Sequence, residues 1–165
     1  MAYIQVSEIM TRKPITVKSS MSIMESAKVM KAYKISSVLV MSGKKLVGIL
    51  TVDDVVRLAV ASGMDLEKTI IEDIMTRDVV TISPDKDITD VMNMFAEFEI
   101  HQVPVIDGKN LAGFVTLKDV LRFEPAMLDI AVGGLRLEEE NRQRILLKRA
   151  AGEIQVDEDD EDLFE

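Results

Sequence analysis

Apolar positions in the first half of the chain follow two spacings, one typical of strands and one typical of helices. Short apolar runs bounded by turn residues predict strands at 15–17, 38–41 and 46–50. Between the first two runs, Ser22 is a suitable N-cap, and Ile23 and Met30 belong to a set of apolar residues at helical spacing. A second helix is predicted at 52–61, and it should end near Gly63.

The same order of patterns returns in the second half. The predicted elements are a strand at 79–82, a helix at 87–99, strands at 103–106 and 111–115, and a helix that begins at Leu117. Asp107 and Gly108 lie between two apolar runs, which predicts a tight hairpin. Each half therefore has the order β-α-β-β-α.

The chain is an internal duplication with an offset of 65 residues. Residues 8–57 and 73–122 align without a gap and share 17 identical residues in 50 positions. One repeat alone buries too little surface to be stable, and the linker at 63–71 is short. We therefore predict one α/β (α+β) domain in which the two repeats pack sheet against sheet around a pseudo-twofold axis.

The composition narrows the chemistry that the chain can perform. An apolar fraction of 47% is enough for a packed core, while the absence of cysteine excludes disulfides, thiol catalysis and cysteine-ligated metals. A single histidine cannot form a zinc-binding cluster, and 4% aromatic residues do not favour stacking on single-stranded nucleic acid. The methionines predicted to fill the core are Met10, Met24, Met30, Met75, Met92 and Met94.

The net charge of −9 is concentrated at the end of the chain. Residues 152–165 hold eight carboxylates and no lysine or arginine, which leaves 21 acidic against 20 basic residues elsewhere. A nearly neutral body argues against nonspecific nucleic-acid binding. We predict a charged helix at 135–151 and a disordered acidic tail after Gly152. A solubilising tail is favoured over a partner-binding hook anchored by Leu163 and Phe164.

Targeting signals are not evident in the sequence. The first residues lack the basic and apolar regions of a signal peptide, and no apolar run approaches the length of a membrane span. We therefore expect a soluble cytoplasmic protein without a membrane partner.

One motif carries candidate chemistry, and it occurs at the same place in both repeats. Thr51 and Asp54 follow the last strand of repeat 1, and Thr116 and Asp119 follow the last strand of repeat 2. Each pair falls in a first helical turn, where free N–H groups and the helix dipole favour an anion, and a carboxylate can also bind a ribose diol. The same motif is a variant of the capping box, a purely structural helix start. The residues of the motif leave both interpretations open.

The repeat resembles the CBS motif. Each copy opens with a Met-Thr pair, Met10-Thr11 and Met75-Thr76, and closes with a glycine followed by Thr-x-x-Asp-Val. The tandem arrangement is similar to a CBS pair, or Bateman module, the regulatory unit named after cystathionine β-synthase. The resemblance covers about residues 4–125. It implies a first CBS repeat at 1–65, a second at 66–128, and a C-terminal helix with an acidic tail at 129–165.

The resemblance also implies a ligand. Members of this family bind adenosine-containing molecules in two clefts between the paired motifs, so the expected ligands are AMP, ADP or ATP, with S-adenosylmethionine a further candidate and no obligatory cofactor. Asp54 and Asp119 would bind the ribose, each with its threonine as hydroxyl partner. The residues implied to wrap the adenine are Pro14, Ile15 and Thr16, and Val79, Val80 and Thr81. Those implied to contact base or phosphate are Ile35, Ser36 and Ser37, and Ile100, His101 and Gln102.

The two copies differ beside the motif. Repeat 2 has His101 and Lys118 where repeat 1 has Ser36 and Asp53, and a phosphate prefers cationic surroundings. We therefore expect phosphate contacts mainly from the second repeat. The alternative is that His101 is a surface or capping residue.

Two arginines and one glutamine qualify this expectation. Arg12 and Arg77 are near enough in sequence to join the phosphate contacts, or they serve only in ion pairs. Gln102 stands where the family often has an arginine, which weakens the case for tight polyphosphate binding.

A catalytic role is not indicated, because the sequence has no phosphate-binding loop, nucleophile elbow or His-Glu-x-x-His motif. We predict a stand-alone regulatory module that senses adenine nucleotides and signals to an unidentified partner by population shift. A homodimer is expected to form through the helices at 52–61 and 117–123. The alternatives are a constitutive dimeric scaffold with ligand-free clefts, or a binder of S-adenosylmethionine or nucleic acid.

Overall fold

The computed structural model describes residues 3–125, 140, 143–145, 147 and 148 of the chain. The elements of the first repeat are α1 (Val6–Ile9), β1 (Thr16–Lys18), α2 (Ile23–Tyr33), β2 (Ser37–Ser42), β3 (Lys45–Thr51) and α3 (Val52–Asp54), which continues as a π-helix (Val55–Val60). Those of the second are α4 (Ile71–Ile74), α5 (Ile88–Phe98), β4 (Gln102–Asp107), β5 (Asn110–Thr116) and α6 (Leu117–Phe123). The mixed α and β content of two tandem repeats confirms the predicted fold class.

The long helix of each repeat begins at a capping residue, which was predicted for Ser22 and not for Asp87. Ser22 accepts a hydrogen bond from the Glu25 N–H group at the start of α2. Asp87 does the same for the Thr89 N–H group at the start of α5. The pKa of Asp87 is lowered first by a hydrogen bond from the Thr89 side chain and then by this backbone bond. Both helices end on a residue in the left-handed conformation, Lys34 with φ 53° and Glu99 with φ 52°.

Each repeat contains an antiparallel hairpin. Strand β2 pairs with β3 and strand β4 pairs with β5, in equivalent registers that place Ser37 opposite Thr51 and Gln102 opposite Thr116. In the first repeat, β1 adds a third strand that runs parallel to β2. The register places the threonine that precedes each Asp-bearing helix at the end of its sheet.

The strand predicted at 79–82 is reduced to one bridge, in which Ile82 pairs with Val105. The equivalent strand of the first repeat, β1, is held in part by a 3.3 Å hydrogen bond from the Leu39 N–H group to the Ile15 carbonyl. Pro104 occupies the position of Leu39 in the second repeat, and proline has no N–H group to donate. The prediction of a full strand is therefore wrong for this repeat.

The two repeats exchange their opening segments. The Thr11 N–H group donates to the Phe114 carbonyl of the second repeat at 2.8 Å, and the Phe114 N–H group returns a bond of 3.0 Å. Thr76 and Ile49 form the same reciprocal pair in the other direction, at 3.0 Å for both bonds. Each hydrophobic core is thereby completed by the short helix of the other repeat.

A methionine and a glycine make the exchange close-packed. A Cβ atom added to Gly113 would lie 2.5 Å from Met10 Sδ and 2.9 Å from the Thr11 carbonyl oxygen. One added to Gly48 would lie 2.5 Å from Met75 Sδ and 3.0 Å from the Thr76 carbonyl oxygen. The Met-Thr pair of each repeat therefore covers the glycine of the other. The glycines are required for close approach.

The helix predicted at 52–61 differs from the expected form. It makes one α-helical turn and then widens into the π-helix, in which the Ala61 N–H group donates to the Val56 carbonyl at 2.9 Å. The faces expected to pair in a dimer expose large apolar side chains, with Val56 52%, Val60 54% and Phe123 52% exposed. Pairing of two copies through these faces stays a prediction.

The C-terminal predictions lie mostly outside the described residues. Within the helix predicted at 135–151, residues 140, 143–145, 147 and 148 are helical. The acidic tail is outside the described part of the chain. Among the helices that the structure describes, none has both the length and the apolarity needed to cross a membrane.

We predict that Gly113→Ala lowers the free energy of unfolding by about 1–3 kcal/mol, because a methyl group there overpacks the contact with Met10 and the Thr11 backbone. Denaturant unfolding measures the change. Gly108→Asn is the control, since an added Cβ there meets nothing within 4 Å and asparagine tolerates φ +60°. Equal stability of Gly113→Ala and the wild type would contradict the role assigned to the exchange.

Candidate functional site

An open cleft of about 1670 Å³ lies between the two repeats. Its lining includes the end of β3 with the start of α3, and the end of β5 with the start of α6. Both Thr-x-x-Asp motifs line this cleft. The two clefts implied by the family resemblance are therefore two halves of one continuous cavity. The half that holds Asp54 is called the first half below, and the half that holds Asp119 is called the second half.

The first motif forms a closed capping box. The Asp54 Oδ2 atom accepts hydrogen bonds from the Thr51 N–H group at 2.8 Å and from the Thr51 hydroxyl at 2.7 Å. The Thr51 hydroxyl oxygen accepts a bond from the Asp54 N–H group at 3.1 Å. The side chains are half-buried at the wall of the cleft.

The second motif repeats this geometry. The Asp119 Oδ2 atom accepts from the Thr116 N–H group at 2.9 Å and from its hydroxyl at 2.7 Å. In both motifs the structural interpretation of the sequence is therefore confirmed: Thr-x-x-Asp caps the helix. Only Oδ2 is used, and Oδ1 of Asp54 and Asp119 accepts no hydrogen bond from the residues that the structure describes. The cap thus fixes a carboxylate whose second oxygen is available to a ligand.

Most of the implied ligand-binding residues line the cleft together with the two motifs. Those of the first repeat are Pro14, Ile15, Ile35, Ser36 and Ser37, and those of the second are Val79, Val80, Ile100, His101, Gln102 and Lys118. Thr16 and Thr81 are exposed and do not line it. Thr16 begins β1, whose next residue, Val17, is buried in the core, and neighbouring strand residues point to opposite faces.

Arg12 and Arg77 also lie outside the lining of the cleft. Arg12 donates to the Ser7 carbonyl at 3.1 Å, and Arg77 donates to the Glu72 carbonyl at 2.9 Å. Arg77 also forms a 3.6 Å ion pair with the Glu72 carboxylate. These bonds hold each arginine against the short helix of its own repeat, so the expected phosphate contact from either one is not supported.

A row of hydrogen bonds joins the two motifs across the pseudo-twofold axis. The Val52 N–H group, at the start of the first Asp-bearing helix, donates to the Ser36 carbonyl at 2.9 Å. The adjacent Ser37 hydroxyl donates to Gln102 Oε1 at 2.7 Å, and these two residues occupy equivalent positions of the two repeats.

The row ends in the second repeat by the same geometry. The Leu117 N–H group, at the start of α6, donates to the His101 carbonyl at 2.9 Å. The two helix starts are therefore connected through three hydrogen bonds and the short loops between them. This row is called the axis bridge below.

Several charged residues that line the cleft were not predicted from the sequence. Lys34 and Glu99 lie at equivalent positions, and Lys13 and Asp78 form a second such pair. A left-handed φ at a residue other than glycine is uncommon and is often found at functional sites, but the sequence does not reveal φ. The sequence does show that the two members of each pair, 65 residues apart, have opposite charges, and this could have identified them.

The described residues offer no group of three or more histidine, cysteine, aspartate or glutamate side chains that could hold a metal ion. The polar groups of the cleft are instead carboxylates, hydroxyls, amines, one guanidinium, one amide and one imidazole, beside the apolar walls of the two halves. Such a mixture suits a ligand with a flat apolar base, a diol and a charged end.

Comparison with protein families gives two matches along the chain. The model of the CBS domain matches residues 6–61 and again residues 71–126. A 17.7 kDa protein of Acidianus ambivalens is 35% identical over 129 residues, which are 76% of this chain and 74% of that protein. L-aspartate semialdehyde sulfurtransferase of Methanocaldococcus jannaschii is 36% identical over 119 residues, which are 71% of this chain but only 22% of the enzyme.

Comparison with solved structures gives the same architecture. The CBS domain pair of protein MJ0100, in complex with 5′-methylthioadenosine and S-adenosyl-L-methionine, has a TM-score of 0.69 and is 34% identical. The match covers 76% of this chain and 98% of that one.

Proposed function

Because the chain belongs to the CBS-domain family, as a pair of CBS domains, we propose that it binds adenosine-containing ligands in its cleft and reports their presence to a partner protein. One observation carries this proposal. Two capped carboxylates, Asp54 and Asp119, face one cleft, and each keeps its Oδ1 atom available.

The ribose is the part of the ligand that the motifs recognise. A carboxylate oxygen accepts hydrogen bonds from the two hydroxyls of a ribose, as in dinucleotide-binding folds. The capping bonds of Oδ2 fix the side chain before the ligand arrives, which lowers the conformational entropy lost on binding. The structure thus supports the same function for both motifs.

In this proposal the base of the ligand packs against an apolar wall in each half. Pro14, Ile15 and Ile35 line the first half, and Val79, Val80 and Ile100 line the second. A flat purine buried there gains hydrophobic stabilisation of about 25 cal/mol per Å² of apolar surface removed from water. The solved pair that holds methylthioadenosine and S-adenosylmethionine supports adenosine as the common ligand element. AMP, ADP and ATP follow from the family resemblance.

Signalling would use the axis bridge. The hydrogen bond between Ser37 and Gln102 joins the two repeats. A ligand bound at the start of one Asp-bearing helix therefore changes the relative free energies of the conformations that keep or break this bond. The exposed faces beside the helix starts then carry the change to the partner.

A constitutive scaffold is the second candidate function. The closed capping boxes favour it, because Thr-x-x-Asp is fully explained by helix capping in the absence of a ligand. In the proposed function the carboxylates also bind the ribose, whereas in a scaffold they only cap the helices.

We predict that Asp54→Asn and Asp119→Asn each weaken one of the two binding events for adenosine ligands in isothermal titration calorimetry. The probes are AMP, ADP, ATP, adenosine and S-adenosylmethionine. An amide weakens ribose binding because its nitrogen cannot accept a hydrogen bond and its charge is lost. Each variant should lower affinity at its own half about tenfold or more, equivalent to about 1.4 kcal/mol.

Asp90→Asn is the matched control. Asp90 closes the same type of capping box at the start of α5, where its Oδ2 atom accepts from the Asp87 N–H group at 3.2 Å, but it lies outside the cleft. It should keep both binding events. If no probe binds the wild type, the scaffold function replaces the proposed one.

We also predict that Ser37→Ala reduces the coupling between the two halves. In the wild type, occupation of one half should change affinity at the other by about 5-fold or more, the range of ordinary allosteric coupling. The variant removes the donor to Gln102, so its stepwise binding constants should approach those of independent halves.

Ser42→Ala, on the same strand but exposed and outside the cleft, should leave the coupling unchanged. Identical coupling in Ser37→Ala and the wild type would show that the axis bridge does not connect the halves.

A further inference from the structure

The two halves of the cleft have similar backbone geometry but carry opposite charges at equivalent positions. Three pairs of equivalent positions carry opposite signs: Lys13 with Asp78, Lys34 with Glu99, and Asp53 with Lys118. All six residues line the cleft. The pseudo-twofold axis therefore relates the ribose-binding carboxylates to one another but does not relate the charges around them.

Lys34 and Glu99 are held in their halves by the backbone. Each ends the long helix of its repeat in the left-handed conformation. Two residues later, the carbonyls of Ser36 and His101 each accept the bond from the start of the Asp-bearing helix. Lys34 is thus fixed beside the first motif, and Glu99 is fixed beside the second in the same way.

Lys13 and Asp78 are placed in their halves by the residues that follow them. Lys13 precedes Pro14 and Ile15, and the Ile15 carbonyl accepts the Leu39 N–H bond of the first repeat. Asp78 precedes Val79 and Val80, which lead to the bridge between Ile82 and Val105 of the second repeat.

One ion pair compensates charge in the first half. Arg57 Nε lies 2.9 Å from Asp53 Oδ1, so these two charges largely cancel. Lys13 and Lys34 form no ion pair with the residues that the structure describes, and they face a single remaining carboxylate, Asp54. The first half is therefore net positive.

The second half has the opposite balance. Lys118 is its only lysine or arginine among the described lining residues, and it shares the half with Asp78, Glu99 and Asp119. Lys118 therefore does not make this half favourable for an anion, although the motif residues alone suggest that it would. With three carboxylates against one amine, the second half is net negative.

We propose that the two halves select different adenosine ligands. The first half takes one that carries a phosphate, and the second takes one without phosphate, whose far end is neutral or cationic. The inference rests on the proposed function, since it assigns a ligand class to each half of the same cleft. A phosphate monoester carries about −1.5 to −2 charges at neutral pH, so Lys13 and Lys34 attract it while Asp78 and Glu99 repel it.

The test compares AMP with adenosine on chains that keep one functional half. Asp119→Asn keeps the first half, and Asp54→Asn keeps the second. The ratio of AMP affinity to adenosine affinity, measured by calorimetry at low salt, should be at least about tenfold higher for Asp119→Asn. That excess should fall when the salt concentration is raised, because ions screen the charges. Equal ratios for the two variants would overturn the inference.

A second test exchanges the charges of Lys34 and Glu99 between the two halves. The double variant Lys34→Glu/Glu99→Lys keeps the net charge of the chain and places the same two residue types in the same two left-handed positions. Combined with each single-half variant, it should narrow or reverse the difference between the ratios. An unchanged difference would contradict the assignment of these two residues. If the wild type bound neither adenosine nor AMP, the proposed function would be refuted, and this inference with it.

Discussion

The packing of each Met-Thr pair on the glycine of the other repeat is the contact on which the rest of the structure depends. Gly113 and Gly48 have no Cβ, so the opening segment of the other repeat approaches close enough to form paired backbone hydrogen bonds. These bonds anchor Thr11 and Thr76 beside β5 and β3. Each core is completed from across the axis, so neither repeat has a whole core of its own. These contacts hold the two repeats together on either side of the cleft.

Helix capping and ligand recognition are compatible because a carboxylate has two oxygens. Oδ2 of Asp54 and of Asp119 is used by the cap, which contributes about 1 kcal/mol to stability in typical helices. Oδ1 accepts no hydrogen bond from the described residues, and both side chains line the cleft. The two interpretations of Thr-x-x-Asp that the sequence left open therefore describe two roles of one side chain, of which the cap is observed and the ribose contact is proposed.

Periodicity and self-comparison were sufficient for the order of the longer elements, because burial imposes a spacing on apolar residues. The short helices α1 and α4 were not predicted. Both methods failed where the backbone decides locally. Pro104 removes one N–H group and with it most of a predicted strand. The apolar residues after Asp54 do not reveal that the helix widens into a π-helix there. The exchange of opening segments could not be foreseen, since Met10 fits a core in either repeat. Most residues implied by the family resemblance line the cleft. Lys34 and Glu99 were not predicted to line it, because their placement depends on a left-handed φ.

A crystal structure of the chain with a bound adenosine ligand would show whether the capped carboxylates bind the ribose. We predict that the ribose hydroxyls lie within hydrogen-bonding distance of Oδ1 of Asp54 or Asp119, with the bonds from Thr51 or Thr116 to Oδ2 still in place. The adenine should contact the apolar wall of the same half. An ordered ligand bound outside the cleft, or in the cleft without a contact to either carboxylate, would contradict this prediction.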